Sequence, residues 1–281
     1  MPSATIKIFL VHGDAKRLRI AELSNWTGKA LAAPRNEFDS LMVRDESTGS
    51  GIYFLIGIDP ETEKPAVYIG EAESIRNRLK NHLEKDFWSQ IIFFVSKDES
   101  LTKAHIRYLE GRLIEQAKSA SRSVIINSQS SGAKLPEFDR EDMEIFLEKI
   151  QQLLPSLGAD FLVPILVEQD ATQKKNELFC EIKGLKATGI QSATGFVVLK
   201  GSQAVLEERP ATYKYPWISR LRKKLIEDEI LIPLQGTLIF SVDAEFPSPS
   251  SAAAVIQGGT ANGLVAWKNK DGLTLKDIES I

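Results

Sequence analysis

Cysteine is almost absent: Cys180 is the one thiol in 281 residues. A single thiol excludes an intrachain disulfide and the zinc sites that need several thiolates. Histidine is scarce too, and His12, His82 and His105 form no close metal-ligand pair. Positive charge is not in excess, because the net charge is −3. No global field draws the chain to DNA or to an anionic membrane, so any polyanion site must be a local basic patch. Long apolar runs are missing. Phe9 to Val11, Ile91 to Val95, and Phe161 to Val167 around Pro164 fall far short of a membrane span. The start shows no charged leader ahead of an apolar core. Together these absences predict no membrane contact and a reducing, cytoplasmic compartment. With 18 Gly and 12 Pro the chain is neither collagen-like nor largely disordered. Its 43% hydrophobic and 26% charged residues are ordinary for a globular protein, and its length predicts two domains.

Residues 5 to 11 read as a strand, followed by a polar stretch through Ala30. Ile52 to Ile58 and Ala66 to Gly70 flank the turn formers Asp59 to Pro65, a hairpin with a long loop. Ser74 is placed to cap a helix to about Lys85, with Ile75, Leu79 and Leu83 as its apolar stripe. Ile91 to Val95 reads as a third strand, Ser100 to Ala120 as a long helix, and Ser123 to Asn127 as a short extended piece. A helix from Arg140 to Leu154 ends at Pro155. The expected divisions are an N-terminal strand and extension at 1–48, a first domain at 49–155, a linker at 156–177 and an accessory domain at 178–281.

Gly51-Ile52-Tyr53 and Tyr68-Ile69-Gly70 sit on the two hairpin strands. Arg78 and His82 follow on one helix face, Glu110 lies in the long helix, and Asn127 ends the extended piece. These residue types suit phosphodiester hydrolysis, which needs a nucleophile, neutralised phosphate charge and help for the leaving oxygen. On a helical wheel Glu110 falls amid Ile106, Leu109, Leu113, Ile114 and Ala117. A carboxylate on an apolar arc calls for a partner. Mg²⁺ is one, because it keeps several waters and needs few protein carboxylates; solvent at the arc's edge or Arg107 is another. Arg78, bordering the apolar stripe, is expected partly buried and suits a phosphate fork, although a solvated helix Arg has the same look. Tyr53 and Tyr68 are either water-activating phenols, their pKa lowered by nearby cations, or strand aromatics filling the core. His82 can relay a proton or lie on the surface. Asn127 can orient the site or occupy a turn.

This ordered set resembles the GIY-YIG nuclease family over residues 50 to 130, with a slightly long spacing between Tyr53 and Tyr68. The resemblance implies an α+β fold whose small domain is an antiparallel three-stranded sheet flanked by helices, joined to a second small α+β domain. It implies a metal-dependent endonuclease acting on DNA, with RNA as an alternative polymer. Glu110 would be the metal ligand for Mg²⁺ or Mn²⁺, and Tyr53, Tyr68, Arg78, His82 and Asn127 would complete the catalytic set. Gly51 and Gly70 would be the motif's backbone positions. Arg76, Lys80, Lys103 and His105 are candidate nucleic-acid contacts. A non-cleaving nucleic-acid or protein binding module on the same fold is the competing expectation.

Beyond residue 178 no catalytic motif is present. The stretch Phe246 to Ala254, Asn262-Gly263 and Trp267 is similar to a small domain appended to bacterial GIY-YIG proteins and to modules of restriction and DNA-methylation proteins. Leu178 to Ile182 and Gly195 to Gly201 read as strands, and Pro216 to Asp228 as a helix with Arg220, Arg222, Lys223 and Lys224 between Trp217, Leu221 and Leu225. Ser248 can cap an Ala-rich helix, Asn262-Gly263 can turn, and Trp267 is expected in the core.

Overall fold

The computed structural model describes residues 3–127, 132–164, 177–192 and 195–280. Most of the expected linker, including all of 165–176, lies outside them, as does 128–131 of the polar loop after Asn127. The chain divides into two compact units, Met1–Pro164 and Ile165–Ile281. Both are mixed α+β with sheets paired antiparallel, apart from the short parallel pairing at one edge of the first unit's sheet. Among the described residues no helix is long and apolar enough to cross a membrane.

The first unit contains β1 (Ile6–Leu10), β2 (Arg19–Leu23), β3 (Gly28–Pro34), α1 (Phe38–Met42), β4 (Gly51–Ile58), β5 (Pro65–Ala72) and α2 (Ile75–Lys80). It continues with β6 (Trp88–Ser96), α3 (Lys103–Ala120), β7 (Val124–Ile125) and α4 (Glu137–Leu153). Its seven strands form one sheet in the order β1-β2-β3-β6-β4-β5-β7. The sheet is wider than the three strands expected. Residues 19 to 34 are two further strands, because β3 pairs with β6 from Gly28↔Ser96 to Pro34↔Gln90. Its Ala-rich sequence has weak strand propensity of its own, and burial between β2 and β6 decides its state.

Alternation along β4 assigns the two faces. Ile52 and Phe54 join the core under α3 and α4, with Leu109, Leu113 and Phe146. Tyr53 and Leu55 join the opposite core, with Phe38, Leu41, Ile75 and Leu79 from α1 and α2. α3 starts at Lys103 rather than Ser100, because Thr102 and His105 form a reciprocal capping box.

α2 stops at Lys80, short of Lys85, and Leu83 is exposed. Ser74 holds the N-cap position without a side-chain cap bond. The carbonyls beyond α2 find other donors. Trp88 Nε1 donates to His82 O at 3.1 Å, and the Arg35 guanidinium donates to Lys85 O at 2.5 Å and Leu83 O at 2.7 Å. With those groups satisfied, nothing requires the helix to continue.

The second unit contains β8 (Leu178–Ile182), β9 (Leu185–Ser192), β10 (Gly195–Val198), β11 (Gln203–Val205), α5 (Pro216–Glu227), β12 (Leu231–Leu234), β13 (Thr237–Phe240) and β14 (Ala244–Phe246). α6 (Pro249–Gln257), α7 (Gly263–Ala266) and α8 (Leu275–Glu279) complete it. The strands make a four-stranded sheet, β14-β10-β9-β8, and a three-stranded one, β11-β13-β12. Ser248 caps α6 by accepting from Ser251 N, and Trp267 is fully buried against Phe196. Asn262 accepts from Leu264 N and so starts a one-turn helix rather than a hairpin turn. Arg222 is buried, not a surface cation; it donates to the carbonyls of Val255, Val205 and Leu206.

Gly51 is a point of close strand approach. A Cβ there would lie 2.1 Å from Phe94 O, a backbone atom of β6 that cannot yield. Gly51→Ala is therefore expected to cost about 1–3 kcal/mol, measured as a lowered urea midpoint with an unchanged slope.

Candidate functional site

Register places the two motif tyrosines together. Tyr53 pairs with Gly70, and Leu55 pairs with Tyr68, so the tyrosines occupy diagonal positions on one face. Their rings stack at 6.0 Å between centroids. Gly70 makes this possible, because a Cβ there would lie 2.4 Å from the Tyr53 hydroxyl. The turn after α2 brings His82 to the pair, with Tyr53 Oη and His82 Nε2 2.8 Å apart and the Tyr68 ring 4.7 Å from the imidazole. Lys85 Nζ sits 4.3 Å above the Tyr68 ring.

Arg78 on α2 lies beside both phenols; the side chain of Tyr53, then that of Tyr68, favours its charged form. Its side chain is exposed rather than partly buried, because α2 is short and its outer side meets an open cleft. That cleft, of about 380 Å³, is lined by Glu71, Glu73, Ser74, Asn77, Arg78 and Asn81.

Protonation follows burial. Tyr53 is 0% exposed, and desolvation, then the neighbouring Tyr68, raises its pKa despite Arg78. The resting Tyr53 is thus a neutral phenol: loss of water outweighs one exposed guanidinium. His82 is 5% exposed, and burial, followed by the charges of Lys85 and Arg78, lowers its pKa to about 4. The neutral imidazole shares one hydrogen bond between Nε2 and the Tyr53 hydroxyl, its direction set by the tautomer, and Nδ1 is a buried atom with no protein partner.

Glu110 reaches the site around the free edge of β5. Beyond Val67, β7 no longer pairs with β5. Ile126 N still donates to Val67 O. One step on, the Asn127 carboxamide replaces a strand: Ile69 N donates to Oδ1 at 2.9 Å, and Nδ2 donates to Ile69 O. The next outward amide belongs to Glu71, and the Glu71 backbone favours the ionised form of the Glu110 carboxylate. Glu110 is half-buried on α3; desolvation, then the charge of Glu71, raises its pKa to about 6. Arg78 and Arg107 oppose that rise without cancelling it.

Tyr53, Tyr68, Arg78 and His82 therefore share one face, Glu110 joins them past the sheet edge, and Asn127 fixes the strand between. Sequence reasoning missed Glu71, whose signal was its place directly after Gly70, and Arg35, which holds the turn carrying His82. The proposed polymer contacts are less free than expected. Arg76 donates to Ser47 Oγ and Arg44 O, Lys103 pairs with Glu73 at 2.8 Å, and His105 Nδ1 accepts from Thr102 N. Lys80 is exposed.

Among the described residues no group of three or more His, Cys, Asp or Glu converges as a metal cage. The donor set present, Glu110 with Glu71 beside it, fits a hard cation that takes one or two carboxylates and fills its remaining positions with water and phosphate.

Residues 178–279 match a domain of unknown function, DUF4357. The match leaves the unit bearing the cleft outside it. Comparison with curated proteins and with solved structures returns no match.

The native protein holds the Glu110 proton more tightly than the unfolded chain, so its ionisation costs stability as pH rises from 4.5 to about 6. After discounting for solvent screening, Glu110→Gln is expected to stabilise the protein by roughly 1 kcal/mol at about pH 7.5 and by nothing at about pH 4. Urea unfolding at both pH values measures this; an equal effect at both would mean that the charge is not what strains the site.

Proposed function

We propose that the first unit is a GIY-YIG-type endonuclease that hydrolyses phosphodiester bonds in DNA. The observation that carries the reading is the meeting of the Tyr53–Tyr68–His82–Arg78 cluster with the Glu110 carboxylate at the open edge of β5. Glu110, with Glu71 beside it, would hold Mg²⁺ or Mn²⁺, which would supply charge neutralisation on the phosphate and the leaving oxygen.

The chain's own groups do the rest. Arg78 projects into an open cleft and forks onto phosphate oxygens. The phenols of Tyr53 and Tyr68 would position a water for in-line attack. A proton taken from that water would have a route onward in the tautomer that protonates Nδ1, because the Tyr53 hydroxyl then donates to a neutral His82 Nε2 that can accept it. Asn127 keeps Ile69, and with it Tyr68 and Gly70, in place. Both carboxylates beside one phosphate would repel it, which is the physical reason for a cation in the site.

The binding-module reading draws on the raised pKa of Tyr53, which makes it a poor base in the resting protein. Plasmid nicking separates the two. Purified protein with Mg²⁺ or Mn²⁺ is expected to convert supercoiled to open-circular DNA. Glu110→Ala should abolish this, and Arg78→Ala should lower the rate by about 10²-fold or more with unchanged thermal unfolding. Equal nicking by wild type and Glu110→Ala would end the nuclease reading; binding in EDTA with no nicking by the wild type would establish the module.

A further inference from the structure

The second unit carries three large aromatic side chains that its core does not use. Tyr213 is 75% exposed, Tyr215 44% and Trp217 41%, all within five residues of chain. The inner side of α5 is already filled by Ile218, Arg222 and Leu225. Leaving three such rings in water forfeits much apolar burial, so their placement asks for an external partner.

The charges around them say which. Between Glu208 and Glu227 the sequence holds no carboxylate, while Lys214, Arg220 and Lys224 are all exposed. Trp217, Arg220 and Lys224 follow the i, i+3, i+7 spacing that puts them on one helix face. Lys214 Nζ lies 5.8 Å from the centre of the Tyr213 ring. Glu208, the acid that precedes this stretch, is already committed, because it accepts from Ser219 Oγ at 2.5 Å and sits 3.6 Å from buried Arg222. Lys223 is partly occupied by Glu227 at 3.6 Å.

Exposed rings interleaved with exposed cations match a polyanion whose units have flat apolar faces. We propose that Tyr213, Tyr215 and Trp217 with Lys214, Arg220 and Lys224 bind single-stranded nucleic acid, the rings stacking on bases and the cations tracking phosphates. In a duplex the base faces are already stacked on one another, so the unpaired strand is the preferred form. Arg222 is not part of this surface; it fastens α5 to the carbonyls of Val205, Leu206 and Val255. The inference goes beyond the cleavage reading and does not depend on it.

The test uses the full chain in EDTA and a fluorescein-labelled oligo-dT of about twenty nucleotides, followed by fluorescence anisotropy. Wild type is expected to bind it at least about tenfold more tightly than a duplex of equal length, with quenching of tryptophan emission. Trp217→Ala with Tyr213→Ala should weaken binding at least about tenfold, and Lys224→Gln should reduce the slope of log K against log salt by about 0.7. These side chains are exposed, so circular dichroism should show no change of fold. Unaltered affinity in the aromatic double variant overturns the proposal. So does an absence of wild-type binding, which would turn this surface over to a protein partner. Because EDTA silences metal-dependent cleavage, either failure here leaves the nicking result untouched.

Discussion

The ring of Tyr53 lies in the space that a side chain at residue 70 would fill. That one vacancy, fixed by the Tyr53↔Gly70 register of the β4–β5 hairpin, decides what can gather there. It lets the phenol pass across the neighbouring strand, stack with Tyr68 and meet His82. It also buries the phenol completely, and burial is what keeps it neutral beside a guanidinium. A methyl group at residue 70 would push the ring away and dissolve both effects together.

The second constraint is the free edge of β5. Elsewhere the sheet separates two cores, one under α3 and α4 and one under α1 and α2. At this edge the partner strand ends; the Asn127 carboxamide takes over its hydrogen bonds at Ile69, and the Glu71 backbone favours the ionised Glu110 carboxylate. A group on α3 thereby comes within electrostatic reach of Arg78 on α2, although their helices pack on opposite faces. The cost is a carboxylate held near another carboxylate and partly out of water, which shows as a pKa of about 6. Such a site favours whatever brings positive charge to it.

Local signals made the hairpin, the length of α3 and the start of α5 legible, because each rests on turn formers, periodicity or a proline at a helix start. The gathering of Tyr53, Tyr68, Arg78, His82, Glu110 and Asn127 was legible through motif order alone. Three things were not. β3 is Ala-rich and gains its strand state from burial between neighbours. The end of α2 depends on Arg35 and Trp88, distant in sequence, taking its carbonyls. The raised pKa of Tyr53 depends on how deeply the ring is covered, which no spacing encodes. Arg222 shows the same limit: it sits in a run of basic residues, yet it is the one that points inward.

The central claim is that the Glu110 carboxylate holds a divalent ion at the edge of β5. Crystals soaked in MnCl₂ and measured at the manganese absorption edge test it most directly. The account predicts an anomalous peak within coordination distance of Glu110, near Glu71 and Arg78, which is missing in Glu110→Gln. A Glu110 carboxylate without a peak, its oxygens paired with Arg107 at every manganese concentration, would contradict it.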